Sequence, residues 1–184
     1  YYAAEDNFFK VFSFPFLKGD PNTALKEANS MVITASTAKR YFGDADPIGK
    51  MIEAKSTTGA YTPFTITGVL AEIPTQSHLQ FDMLSSLYSV TGFKDNRSTW
   101  IWTIFGTYGL VNEGTDVAAL TKKLQALPPK WAAQTTQTVF NQTFEQFTKG
   151  QPWTLYLQPI QDIYLAKSPG FNRFGPKGNP QFVL

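Results

Sequence analysis

Residues 29–70 constrain this chain more than any other stretch, because they spell a strand, a capped helix, a turn and a returning hairpin in unbroken order. Met31-Val32-Ile33-Thr34 is a short apolar run rich in strand formers. Ala35 to Phe42 follows as a helix that the Thr34 hydroxyl can cap, and Gly43 stops it. Gly43-Asp44-Ala45-Asp46-Pro47-Ile48-Gly49-Lys50 then turns the chain. Met51–Ala54 and Phe64–Leu70 return as strands joined by a connection containing Thr, Gly and Pro. In the second of these, Phe64 and Ile66 share one face, and Thr65 and Thr67 share the other. Gly68 marks a bulge or a close backbone approach.

Upstream, Asp6 is placed to cap a helical turn carrying Phe8, Phe9, Val11 and Phe12, which Pro15 prevents from continuing. Asp20-Pro21 reads as a second helix start, N-cap then first helical position, running to Leu25. Downstream, Leu79, Phe81 and Met83 alternate with Gln80 and Asp82 as a half-buried strand. Thr91–Thr103 reads as a polar boundary loop, and Tyr108–Val111 as a strand. Thr115 caps the next helix, whose Val117, Leu120, Leu124 and Leu127 form one apolar stripe ended by Pro128-Pro129. Trp131–Phe147 is read as helical, and Trp153–Gln158 as a strand. The Gly- and Pro-rich run from Ser168 to Pro180 reads as a flexible connector. These elements predict an α+β fold in two lobes, 1–90 and 91–184.

Composition excludes several chemistries. The chain has no cysteine, so thiol catalysis, thiolate metal sites and disulfides are ruled out. A net charge of only +2 with scattered Lys and Arg leaves no footprint for nucleic acid. Asp44 and Asp46 beside Gly43 are too few for a calcium loop, which needs five to six oxygens and a terminal Glu. Gly49-Lys50 lacks the rest of a phosphate-binding loop, and Ser30 and Ser36 lack a nucleophile elbow. With a single histidine, His78, no cofactor or metal site is expected, nor any enzyme activity. No apolar run approaches the ~20 residues of a membrane helix, so this segment is expected to be soluble.

Several motifs in order resemble one family, the periplasmic core domain of MacB-like, FtsX-like ABC transporter permeases. They are Asn7-Phe8-Phe9-Lys10-Val11-Phe12, Gly19-Asp20, Val32-Ile33-Thr34, Ala38-Lys39-Arg40-Tyr41-Phe42-Gly43, Asp46-Pro47-Ile48-Gly49-Lys50 and Ile66-Thr67-Gly68-Val69-Leu70. The resemblance implies a strand-rich, sabre-like lobe (1–90) and part of a porter-like βαβ lobe (91–184). It places Tyr1 part-way through such a domain, so that the upstream half of the second lobe is expected elsewhere and the Thr115 helix is expected to expose apolar surface. Phe182-Val183-Leu184 would approach a membrane helix. The resemblance further implies a non-catalytic domain on the periplasmic face of the bacterial inner membrane. Such a domain would transmit ATP-driven motion of the membrane helices to an export substrate or periplasmic partner, with hinges at Thr91–Asn96 and the Gly/Pro tail. Its partners would be a cytoplasmic ATP-binding subunit or domain, a periplasmic adaptor, and a lipoprotein, peptide or amphiphilic substrate, with the parent permease a homodimer. The alternative is a free periplasmic or surface module that binds a glycan or peptide through exposed aromatic residues.

Two residue groups stand out. Pro74, Ser77, His78, Phe81 and Asp82 match a family run, with Gln76 in place of its Asn. On an extended strand, His78 and Asp82 would sit about 13 Å apart, so a structural turn is preferred to an acid–base pair. Trp100, Trp102 and Phe105 cluster near Lys94 and Arg97. They are expected either to plug the space between lobes or to form a contact surface for a partner.

Overall fold

The computed structural model describes residues 1–55, 59, 61–100 and 105–163. The chain divides into two compact units, Tyr1–Asp95 and Asn96–Leu184.

The first unit is built on a mixed six-stranded sheet. Its elements in chain order are β1 (Tyr2–Ala4), α1 (Phe8–Val11), β2 (Phe16–Gly19), β3 (Ser30–Thr34), α2 (Ala35–Phe42), β4 (Met51–Lys55), β5 (Tyr61–Leu70) and β6 (Met83–Ser86). The strand order is β1-β6-β3-β5-β2, with β4 also on β5. β3 runs parallel to β5 and antiparallel to β6, while β1 runs parallel to β6. β4 pairs with the first half of β5 and β2 with its last residues, so the two share one edge end to end. All five residues of the central β3 are buried. Such burial on both faces is why this strand reads as a continuous apolar run rather than an alternating one.

α2 forms as the sequence predicts. The Thr34 hydroxyl accepts from the Thr37 N–H, and Gly43 ends the helix at φ 62°. Ala35, Ala38 and Phe42 press onto a core of Met31, Ile33, Ile52, Ala54, Phe64, Ile66 and Val69. Each large aliphatic or aromatic side chain buried there contributes about 1.5–3 kcal/mol.

The bulge anticipated at Gly68 is present. Met31 pairs with Ile66 and Val32 with Gly68, leaving Thr67 as the extra residue. It resets the parity of β5, so that Phe64, Ile66 and then Val69 all enter the same core. The Thr67 hydroxyl lies 2.7 Å from the Ala24 carbonyl and 3.2 Å from that of Met31. Close approach is also real, since a Cβ on Gly68 would stand 2.6 Å from the Phe16 ring. The buried hydroxyls of Ser30, Ser85 and Ser86 donate to the carbonyls of Glu27, Tyr2 and Leu25. These bonds offset the cost of placing hydroxyls in a core.

Three expectations for this unit need correction, and one strand was not anticipated. The N-cap of α1 is Asn7, not Asp6, and it makes no side-chain cap bond. The run from Asp20 forms turns rather than a helix, because the Asp20 carboxylate accepts from the backbone and side chain of Asn22. Phe16–Gly19, which precedes it, is a strand. Leu79 and Phe81 are buried outside any strand, and β6 begins only at Met83, where pairing with Ile33 becomes available.

The second unit is helical in its described part: α4 (Val117–Leu124), α5 (Ala133–Phe140) and α6 (Phe144–Thr148), after α3 (Phe93–Asn96) at the boundary. α3 lies within the expected polar loop and forms because Phe93 is buried, edge-on to Tyr88 at 5.8 Å. The cap of α4 is Asp116, whose carboxylate accepts from the Ala119 N–H at 3.0 Å, rather than Thr115. Its stripe of Val117, Leu120 and Leu124 contains no fully buried residue. Pro128-Pro129 does not end helical structure. These prolines open a wide, π-type turn over Pro128–Ala132, where a missing N–H costs nothing, and α5 follows. α5 stops at Asn141 in the left-handed conformation, and α6 starts with a capping box between Thr143 and Gln146. Tyr108–Val111 and Trp153–Gln158 are irregular rather than strands. Leu110 and Val111 are exposed, and no neighbouring strand of this unit among the described residues offers them a ladder.

Candidate functional site

The break at Asn141 shapes an open apolar feature of the second unit. Phe140 ends α5, whereas Phe144 and Phe147 sit on α6. The reversal between helices brings Phe140 and Phe147 to 5.0 Å, stacked at 23°. Trp153, on the irregular segment beyond α6, stacks on Phe144 at 6.1 Å and lies 6.3 Å from Phe147. Trp100 meets Trp153 edge-on at 6.3 Å. Beside this cluster an open groove of about 590 Å³ is lined by Phe140, Phe147, Pro152 and Trp153, with Thr148, Gln151 and Thr154 as its polar groups. The segment carrying Trp153 is held by Gln125, whose amide accepts from the Leu155 N–H at 3.1 Å and donates to the Leu155 carbonyl. One side chain thus supplies both halves of a strand-like pairing.

Trp100 is therefore placed in an aromatic cluster whose other members the sequence showed only as helix-face phenylalanines and a strand tryptophan. Phe105 is half-buried. Trp102 lies outside the described residues, as do the connector from Ser168 to Pro180 and Phe182–Leu184.

In the first unit, Pro74–Asp82 is folded on itself. The Ser77 N–H donates to the Pro74 carbonyl at 2.9 Å, and the Gln80 amide donates to the carbonyls of Pro74 and Ser77. The Ser77 hydroxyl accepts from the Leu79 N–H. The Asp82 carbonyl accepts from the Thr34 N–H at 3.0 Å, tying the run to the start of α2, while the residue itself is exposed. His78 is half-buried, 6.2 Å from the Phe12 ring, and burial holds its pKa below the usual imidazole value. Phe12 belongs to a second aromatic cluster with Phe8, Phe14 and Phe81, in which Phe8 and Phe14 stack at 5.9 Å. Sequence reasoning missed Glu72, whose carboxylate accepts from the backbone N–H and hydroxyl of Ser36 at 2.6 and 3.0 Å. A negative group at the positive end of α2 stabilises it. Only the fold brings residue 72 back to residue 36.

The acidic turn is a set of ion pairs. Asp46 accepts from Lys18 at 3.0 Å and Asp44 from Lys39. The Lys18 ammonium holds Asp46 below the ordinary carboxylate pKa. Among the described residues no group of three or more acidic or histidine side chains is arranged to hold a metal. Among them also, no helix is long and apolar enough to cross a membrane.

Comparison with known proteins follows the fold. Residues 1–127 match the MacB-like periplasmic core domain family. A solved domain described as that of a permease protein from Porphyromonas gingivalis superposes with a TM-score of 0.52 at 22% identity, covering 70% of this chain. The periplasmic region of MacB from Actinobacillus actinomycetemcomitans gives a TM-score of 0.41 at 19% identity over 76% of this chain. This chain spans 58% and 64% of those two structures. No curated protein matches it. A family match over all of the first unit and beyond, joined to a likeness in fold, leads to one assignment: the chain belongs to the MacB-like periplasmic core domain family.

Proposed function

We propose that this domain is the periplasmic part of an ABC transporter permease and that it works as a mechanical relay without chemistry of its own. The match of residues 1–127 to the periplasmic core domain family carries this reading. In it, ATP turnover by a cytoplasmic ATP-binding partner moves the membrane helices, and the domain passes that movement to an export substrate or periplasmic adaptor. Dimerisation of the parent permease at the bacterial inner membrane belongs to the same proposal.

A relay requires stiff bodies joined by compliant segments. The buried β3, the pinned bulge on β5 and the capped α2 support stiffness in the first unit. Phe93 is buried, which anchors the first half of the hinge candidate Thr91–Asn96. Compliance is therefore assigned to residues from Asn96 onward. The test uses the whole permease in proteoliposomes, with spin labels on cysteines placed at exposed Glu53 and Gln137, in a domain that has none of its own. The distance distribution between the labels should change between the nucleotide-free and ATP-bound states. An unchanged distribution during active ATP hydrolysis would refute the relay.

The aromatic groove favours a second reading, a free surface module that binds a glycan or peptide. The parent reading frame separates the two. Apolar segments of about 20 residues on either side would support the permease.

A further inference from the structure

The end of the first unit where β2, α2 and the turn 43–50 meet combines charge with exposed apolar side chains. Pro47 is buried and seats the turn. The Gly49 N–H donates to the Ile66 carbonyl, and the Ile66 N–H donates to that of Lys50, both at 2.8 Å. This anchoring holds the turn against β5 and leaves Ile48 facing outward, 39% exposed. Leu17, next to Lys18 on β2, and Tyr41, next to Arg40 and Phe42 on α2, are 60% and 55% exposed, and Asp46 links Lys18 to the turn by also accepting from the Ile48 N–H. Lys18 reaches Asp46, Lys39 reaches Asp44, and the Lys50 ammonium lies 5.5 Å above the Phe42 ring. Arg40 is exposed near the end of α2 and enters no ion pair among the described residues.

Two of these four cations are held by their own carboxylates, and the exposed Asp20 just after β2 is taken up by Asn22, which leaves Arg40 and Lys50 without a hydrogen-bonded carboxylate among the described residues. Residues 1–95 as a whole hold eight Lys and Arg against ten Asp and Glu. Positive charge is thus gathered here against the sign of the unit, and it is interleaved with apolar side chains rather than set around a groove.

We propose that this surface docks on a bilayer containing anionic phospholipid. Arg40 and Lys50 meet headgroup phosphates, the Arg fork matching phosphate geometry. Leu17, Ile48 and the ring of Tyr41 enter the boundary between headgroups and acyl chains, where single apolar and amphipathic groups among cations are favoured. An acidic protein partner would match the charges, but it would need a contiguous apolar patch to seat against. The inference rests on the surface of the first unit and not on the relay.

The test is co-sedimentation of the 184-residue chain with vesicles of phosphatidylglycerol and phosphatidylethanolamine, compared with phosphatidylcholine alone. Binding should favour the anionic vesicles and weaken between 150 and 500 mM NaCl. Arg40→Glu with Lys50→Glu should lower partitioning roughly 30-fold or more, since each cation at such a surface contributes about a factor of five. Ile48→Ser should lower it several-fold. Lys10→Glu with Lys26→Glu, the same charge change outside this surface, should have far less effect. Arg40→Glu alone, at a residue with no packing role, repeats the test if the double variant loses its fold. Equal partitioning to both vesicle types, or equal losses from the two charge-reversed pairs, overturns the proposal.

Discussion

Gly19→Ala is the sharpest test of the first unit, because two independent costs meet at one atom. Gly19 ends β2 at φ +87°, a region that L side chains avoid. That conformation costs an alanine about 1–2 kcal/mol. The added Cβ would also stand 2.3 Å from the Thr67 carbonyl oxygen and 2.9 Å from the Gly68 Cα, both backbone atoms at the bulge of β5. Neither neighbour can rotate away. β2 must separate from β5, which sacrifices ladder bonds near Lys18 and Gly19 worth about 1 kcal/mol each. The total is roughly 3–4 kcal/mol, a large share of the ~5–15 kcal/mol that a domain possesses. Gly49→Ala is the matched control: its φ is +78°, but nothing lies within 4 Å of its Cβ, so only the conformational cost applies. All four tryptophans, at 100, 102, 131 and 153, lie in the second unit, so far-UV circular dichroism rather than indole fluorescence reports the sheet. In urea, where m is about 1–3 kcal/mol/M, the ~2 kcal/mol of lost ladder bonds should put the dichroism midpoint of Gly19→Ala roughly 0.7–2 M below that of Gly49→Ala. Equal midpoints would refute the claim that the β2–β5 approach, rather than backbone conformation alone, requires glycine at position 19.

Thr34→Ala should cost about 1–2 kcal/mol by chemical denaturation, since the hydroxyl that accepts from Thr37 N–H is lost at a buried helix start. Gln125→Ala removes both bonds to the Leu155 backbone, so limited proteolysis should cut within 153–158 several times faster than in the parent protein. His78 has a folded-state pKa below its unfolded value because burial disfavours the charged ring. The unfolded chain therefore takes up the proton first, and stability should fall as pH drops below about 6.5. His78→Gln should flatten that slope in midpoints measured between pH 7 and 5, and an unchanged slope would assign the titration to another group.

Local chemistry made some elements readable in advance. Thr34, the helix-forming run to Phe42 and Gly43 carry their own cap and stop within ten residues, and α2 matches them at both ends. Gly68 announced a bulge or a close backbone approach because a strand glycine has few other uses, and both are present. Phe16–Gly19 was obscured because its partner, residues 68–70, lies about 50 positions away. The candidate sites divide in the same way. Trp100 was visible as part of an aromatic cluster in a boundary segment, but its partner Trp153 and the stacked Phe144 come together only through the turn at Asn141.

By itself, the sequence determined the grammar of the central layer: which short runs bury, where α2 begins and ends, and that β5 carries an irregularity or a close approach at Gly68. These follow from side-chain volume, capping oxygens and glycine conformations, all of which act within a few residues. Tertiary structure alone decided which edge of β5 receives β2, that Glu72 would serve the start of α2, and that Tyr108–Val111 and Trp153–Gln158 would remain irregular. A strand needs a neighbour and a distant carboxylate needs a fold to carry it. Both depend on contacts between residues far apart in the chain, which no local pattern records.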